Sequence, residues 1–211
     1  MRGAYRYDGE VWETGYPRND LLKAPDAKER GAAVRACLGI PPDKRVVLYA
    51  PTWRDDLIIG DGPRRAYELA LNVKKARAAL GNDHVLLLRA HRFMATNRAW
   101  RGGDGFVVDV SDYPDIADLY PATDVLVTDY SSAMFDFAVT GKPILFFAYD
   151  LERYRDHVHG FYFDLEAEAP GPMVRTSDEV IDALRAGTHY DHADAYAMFV
   201  KTFCPYDDGF A

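Results

Sequence analysis

Residues 124–141 read DVLVTDYSSAMFDFAVTG: a short apolar strand, a turn rich in hydroxyls, and a helical stretch closed by glycine. The Val-Leu-Val run at 125–127, after Asp124, suits a strand covered on both faces rather than one with a wet side. Gly141 stands where a helix over 132–140 would need its C-terminal stop. Outward from this unit the same alternation recurs. Strands are predicted at 45–50, 83–88, 106–108 and 143–147, and helices at 26–38 and 73–80, each followed by glycine. Ser177 reads as the N-cap of a further helix that carries Val180, Ile181 and Leu184 on one face. The order β-α-β-α implies an α/β fold with a mostly parallel sheet and helices on both sides. Residues 57–65 (LIIGDGPRR) read as a mobile loop, with two glycines and a proline in nine positions.

Composition agrees with this class. The chain has 211 residues, 48% hydrophobic and 27% charged, which is enough to bury a sizeable core. Twenty-five Lys and Arg against 33 Asp and Glu give a formal charge of −8. That balance speaks against a general nucleic-acid binder, whose affinity depends on releasing counterions from phosphates. A local basic site for one small phosphate ligand stays compatible. Cys37 and Cys204 match no metal-ligand spacing and read as idle thiols. No apolar run has the ~18–20 residues that span a bilayer, and residues 1–20 lack the layout of a secretory signal.

In an open parallel sheet ligands bind beyond the carboxyl ends of the strands. The first strand exits into Pro51-Thr52-Trp53-Arg54, a stiff turn with a flat ring that either receives a nucleobase or covers the sheet end. The second exits into Arg89-Ala90-His91-Arg92, three potential cations in an acidic chain that form either a phosphate receptor or solvated loop charges. Arg presents a planar fork to oxygens, and His can donate to them or hand over a proton. The fourth exits into Thr128-Asp129-Tyr130-Ser131-Ser132, where free amides and two hydroxyls at a helix start suit an anion. Asp136, a turn into that helix, is a candidate acceptor for ribose hydroxyls, while Asp129 and Ser131 also read as caps. After the third strand, Ser111 or Asp112 is expected to cap a short helix. His157 and His159 lack a completing ligand set, so no metal site is assigned. Neither GxGxxG nor GxxxxGK[ST] is present.

Seven segments occur in a telling order: TGYPRND (14–20), YAPTWRD (49–55), LLLRAH (86–91), VSDYPDIADLY (110–120), VTDYSSAMFDFA (127–138), KPILFFAYDLERYRD (142–156) and GFYFDLE (160–166). With them the chain resembles the nucleotide-binding half of the CDP-glycerol glycerophosphotransferase family, the teichoic acid primases and polymerases. The resemblance implies a Rossmann-like domain forming the C-terminal half of a GT-B-type fold. It implies binding of CDP-glycerol, transfer of glycerol phosphate to a lipid-linked acceptor and release of CMP, with no cofactor or metal. Alternatives are a CDP-ribitol or other activated-donor transferase, or a non-catalytic nucleotide-binding module. Carried over by position, Arg18 lies near the nucleotide, Thr52 and Trp53 at cytidine, and Arg89 and His91 at the pyrophosphate. Ser131 and Ser132 would take phosphate oxygens and Asp136 the ribose, with His91 the catalytic candidate. Two positions depart from the family pattern: His159 replaces an arginine before GFYF, and Arg92 replaces a proline after His91. Residues 1–20 are expected to enter from another domain that holds the acceptor and the general base. Residues 21–211 would then form the CDP-binding domain without its final helix, inactive alone. The complete enzyme is expected in the cytoplasm, peripheral to the inner face of the membrane.

Overall fold

The computed structural model describes residues 6–54, 69–90 and 104–207. Five strands fall where the apolar runs lie: β1 Arg45–Ala50, β2 His84–Leu88, β3 Val107–Asp109, β4 Val125–Thr128 and β5 Ile144–Phe147. A sixth, β6 Met173–Val174, has only two residues and no pattern by which periodicity reveals it. Every pairing is parallel, and the order across the sheet is β3-β2-β1-β4-β5-β6. This is the doubly wound order, and it bears out the α/β, Rossmann-like expectation.

Alternate residues of each strand feed two separate cores. Val46, Leu48 and Ala50 join Leu119, Tyr120, Met134, Phe137 and Phe199 on one face. Val47 and Tyr49 join Leu71, Ala76, Leu80, Val180, Ile181 and Leu184 on the other. Burial of both faces is why the strands read as continuous apolar runs. At roughly 1.5–3 kcal/mol for each large aliphatic or aromatic side chain removed from water, these layers dominate the favourable energy of the fold. The Ala27–Cys37 helix reaches its seat through Gly31, where an added Cβ would lie 2.5 Å from the Pro121 carbonyl oxygen.

Three local expectations are corrected. Thr176, rather than Ser177, caps the Ser177–Ala186 helix, in a capping box with Glu179. The Ser177 hydroxyl instead accepts from the Asn72 amide and donates to the Ala70 carbonyl, tying this helix to the loop before the Val73–Leu80 helix. Gly81 follows that helix with φ −60°, so it is no left-handed stop; a Cβ there would approach the Arg77 carbonyl at 2.7 Å. The short helix after β3 is Leu119–Ala122, beyond Ser111 and Asp112. Ser111 accepts from the Ala90 amide at 3.1 Å and so braces the exit of β2. Cys37 and Cys204 are both free thiols, and burial pushes the pKa of Cys204 up to about 12. Residues 57–65 lie outside the described residues.

Candidate functional site

The strand order reverses direction between β1 and β4, and in a doubly wound sheet the ligand crevice is expected beyond the carboxyl ends at such a switch point. Ala50 and Thr128 are register partners there, and the Thr128 hydroxyl donates to the Ala50 carbonyl at 2.7 Å. Next to them, the Arg89 amide donates to the Tyr49 carbonyl at 2.9 Å, which carries the β2 exit to the same rim. Thr52, Trp53, Arg89, Ser131 and Ser132, read from three separate exits, therefore converge on one edge of the sheet.

The turn after β4 is held from below by Asp129, which is 2% exposed. Its Oδ1 accepts from the amides of Thr52 (2.8 Å) and Tyr130 (2.6 Å), and its Oδ2 from Arg54 Nη2 (2.9 Å). Asp129 thus joins two strand exits rather than capping the following helix. Ser131 Oγ does act as a local cap, accepting from the Ala133 amide at 3.2 Å. The Ser132 hydroxyl makes no capping bond. The amides of Ser131 and Ser132 have no hydrogen-bond partner among the described residues, and they stand at the N-terminal end of the Ala133–Ala138 helix.

Arg89 supplies a cation on the neighbouring exit. Its Nη1 donates to the carbonyls of Val110 (3.0 Å) and Tyr113 (2.6 Å), fixing the guanidinium against the loop after β3. It forms no ion pair with a carboxylate among the described residues, and burial holds its pKa below the ordinary arginine value. Asp112 and Asp115 act on it only through space, and a half-buried cation without a direct carboxylate partner suits an anion. His91, two residues on, lies outside the described residues. Thr52 Oγ1 is buried with no hydrogen-bond partner among the described residues, and Trp53 packs against the edge of the second core.

Arg18 and Asp136, given separate roles from the sequence, bind each other. Arg18 donates through Nε and Nη2 to Asp136 at 2.9–3.2 Å, and Asn19 Nδ2 adds a bond to Oδ1 at 3.2 Å. The guanidinium also lies 4.2 Å over the Tyr16 ring. In place of an open carboxylate awaiting ribose, Asp136 is 8% exposed and already engaged. It is the seat on which the 14–20 segment docks. The charges of Asp136, Arg18 and Arg89 all act on the buried Tyr120 hydroxyl, whose pKa burial raises.

The sequence does not single out Arg54 and Asp150, which lie beneath these turns. Arg54 stands in the quoted PTWR turn, but its partners are 75 and 96 residues away, and no spacing rule reveals them.

A family model described as CDP-Glycerol:Poly(glycerophosphate) glycerophosphotransferase matches residues 1–211. The chain is 42% identical over 208 residues to the teichoic acid poly(glycerol phosphate) polymerase of Bacillus subtilis (strain 168), covering 98% of this chain and 28% of that protein. It is 45% identical over 204 residues to the teichoic acid glycerol-phosphate transferase of Staphylococcus aureus (strain NCTC 8325 / PS 47), covering 95% and 51%. Among solved structures, a variant of the wall teichoic acid polymerase TagF soaked with CDPG superposes with a TM-score of 0.85 at 35% identity. That match covers 99% of this chain and 51% of the other. The chain therefore spans about half, or less, of the length of these proteins.

Proposed function

The chain belongs to the CDP-glycerol:poly(glycerophosphate) glycerophosphotransferase family, and on that premise we propose that its crevice binds the CDP moiety of CDP-glycerol. Within the complete enzyme the bound donor passes glycerol phosphate to a lipid-linked acceptor in teichoic acid synthesis. The acceptor hydroxyl attacks the phosphorus that bears glycerol, its proton goes to a general base, and the bond to the CMP phosphate oxygen breaks.

The observation that carries this reading is the pairing of Arg89, a half-buried cation without a carboxylate partner among the described residues, with the open amides of Ser131 and Ser132. Both stand at the switch point of a doubly wound sheet. Donors already in place where negative charge develops on a leaving pyrophosphate oxygen stabilise it without reorganisation. Arg18, held by Asp136, adds a second guanidinium with N–H groups left over after its carboxylate fork. His91 is the candidate to neutralise the leaving group or donate to it. Association of the complete enzyme with the inner membrane face belongs to the same proposal. Among the described residues no helix is long and apolar enough to cross a bilayer.

The test is a calorimetric titration of the chain with CDP-glycerol, CDP-ribitol, CDP and UDP. The cytidine ligands bind and UDP binds more weakly, with CDP-glycerol ahead of CDP-ribitol. Equal affinity for UDP and CDP, or binding by none of them, overturns the reading.

A further inference from the structure

Arg54 is 1% exposed, beneath the crevice rather than in it. Its fork makes four hydrogen bonds to three partners. Nε and Nη2 meet the two oxygens of Asp150 at 3.0 and 2.9 Å, Nη2 also meets Asp129 at 2.9 Å, and Nη1 donates to the Thr52 carbonyl at 2.9 Å. The rings of Tyr130, Tyr149 and Tyr154 enclose the guanidinium at 5.0, 5.3 and 5.1 Å, and the Tyr130 hydroxyl donates to Asp150 at 3.1 Å.

We infer that Arg54 is the positioning residue of the nucleotide site, setting the spacing of its two walls. The inference rests on the nucleotide-binding reading above. Arg54 holds Asp129, and Asp129 Oδ1 gathers the amides of Thr52 and Tyr130, one from each side of the switch point. Arg54 also grips the Thr52 carbonyl and, through Asp150, the exit of β5. Three strand exits are thereby tied to one planar group. It is enclosed too completely to touch a ligand, so its effect passes through the turns that do. Removing the guanidinium would leave Asp129 and Asp150 as two neighbouring carboxylates without their cation, and one would have to protonate or turn toward water. Where Asp129 responds, its hold on the amides of Thr52 and Tyr130 weakens; where Asp150 responds, the tie to the β5 exit is lost. Lysine does not substitute, because a point charge on a flexible stem cannot hold a bidentate carboxylate and two further acceptors at once.

The test compares the whole chain with R54M and R54K. L184A is the control, a core truncation remote from the crevice. Amide exchange is followed by NMR, and CDP affinity is measured at a temperature where all variants are folded. In R54M the Thr52 and Tyr130 amides exchange faster relative to Leu126 in the centre of β4, and CDP binds roughly tenfold or more weakly. R54K does not restore either quantity. L184A speeds exchange across the molecule together and leaves CDP affinity unchanged. If R54M does not fold, D150N, which keeps the Arg54–Asp129 pair, is expected to show the same selective opening in smaller degree. Protected amides in the variant, or wild-type CDP affinity, would overturn the role of Arg54. A wild-type chain that binds no CDP, with amides still opened by R54M, would instead sink the nucleotide reading and leave Arg54 a brace without a ligand.

Discussion

Ser131 and Ser132 are adjacent and chemically identical, yet the structure gives them different work. Ser131 Oγ satisfies the Ala133 amide, whereas the Ser132 hydroxyl makes no capping bond. S131A should therefore lower stability by about 0.5–2 kcal/mol, the usual cost of losing a helix cap, and also weaken CDP. S132A should leave the melting temperature near that of the parent. Its cost appears in affinity, since a hydrogen bond to a charged group is worth roughly 1.5–3 kcal/mol, or about ten- to a hundredfold in Kd. Thermal melts and calorimetry on the two single variants check this. Unchanged CDP binding in the double variant would place the phosphates elsewhere. The hydroxyl-rich turn was legible in sequence because strand, turn and helix start are contiguous. The division of labour between the two serines was not, since it depends on which Oγ faces the first free amide.

At the scale of elements, the opposite end of the sheet holds a pair of histidines. His84 opens β2 and His189 lies in the turn after the Ser177–Ala186 helix; both are buried, and each keeps one ring nitrogen without a partner. His189 Nδ1 lies 3.1 Å from the Ala183 carbonyl oxygen. Burial lowers both pKa values, with Arg45 adding to the effect, so folding disfavours the charged form of both rings. The unfolded chain then binds more protons than the folded one as pH falls below the ordinary histidine value of about 6.5. Stability from these rings is complete above that pH and declines below it, by no more than about 1.4 kcal/mol per pH unit for each histidine. Chemical denaturation between pH 7.5 and 5.5 should show this slope, and H189Q should flatten it. A flat profile in the parent would mean that the two rings accept protons without opening the helix from the sheet. Neither histidine stood out in the sequence, where each occupies an ordinary strand or turn position.

Over the whole molecule, a chain of formal charge −8 gathers Arg18, Arg54 and Arg89 toward one end of its sheet. Arg54 is neutralised internally, while Arg89 pairs with no carboxylate among the described residues and Arg18 keeps N–H groups beyond its Asp136 fork, the two cations proposed for the ligand. Guanidinium groups and open amides then do the neutralising, so CDP affinity should persist in EDTA and decline as salt screens the partly exposed charges. Abolition by EDTA would show that a cation shares the pyrophosphate. The sequence by itself determined the α/β class, five of the six strands and the exits on which Thr52, Arg89, Ser131 and Ser132 stand. Each of those follows from apolar runs and turn residues within a few positions of one another. Only the tertiary structure decided the order β3-β2-β1-β4-β5-β6, which makes the β1 and β4 exits face each other. It alone joined Arg18 to Asp136 across 118 residues and Arg54 to Asp129 and Asp150 across 75 and 96. Periodicity records which side of an element is buried. It carries nothing about which distant carboxylate a buried cation will meet, because that choice is made by the packing of the strands.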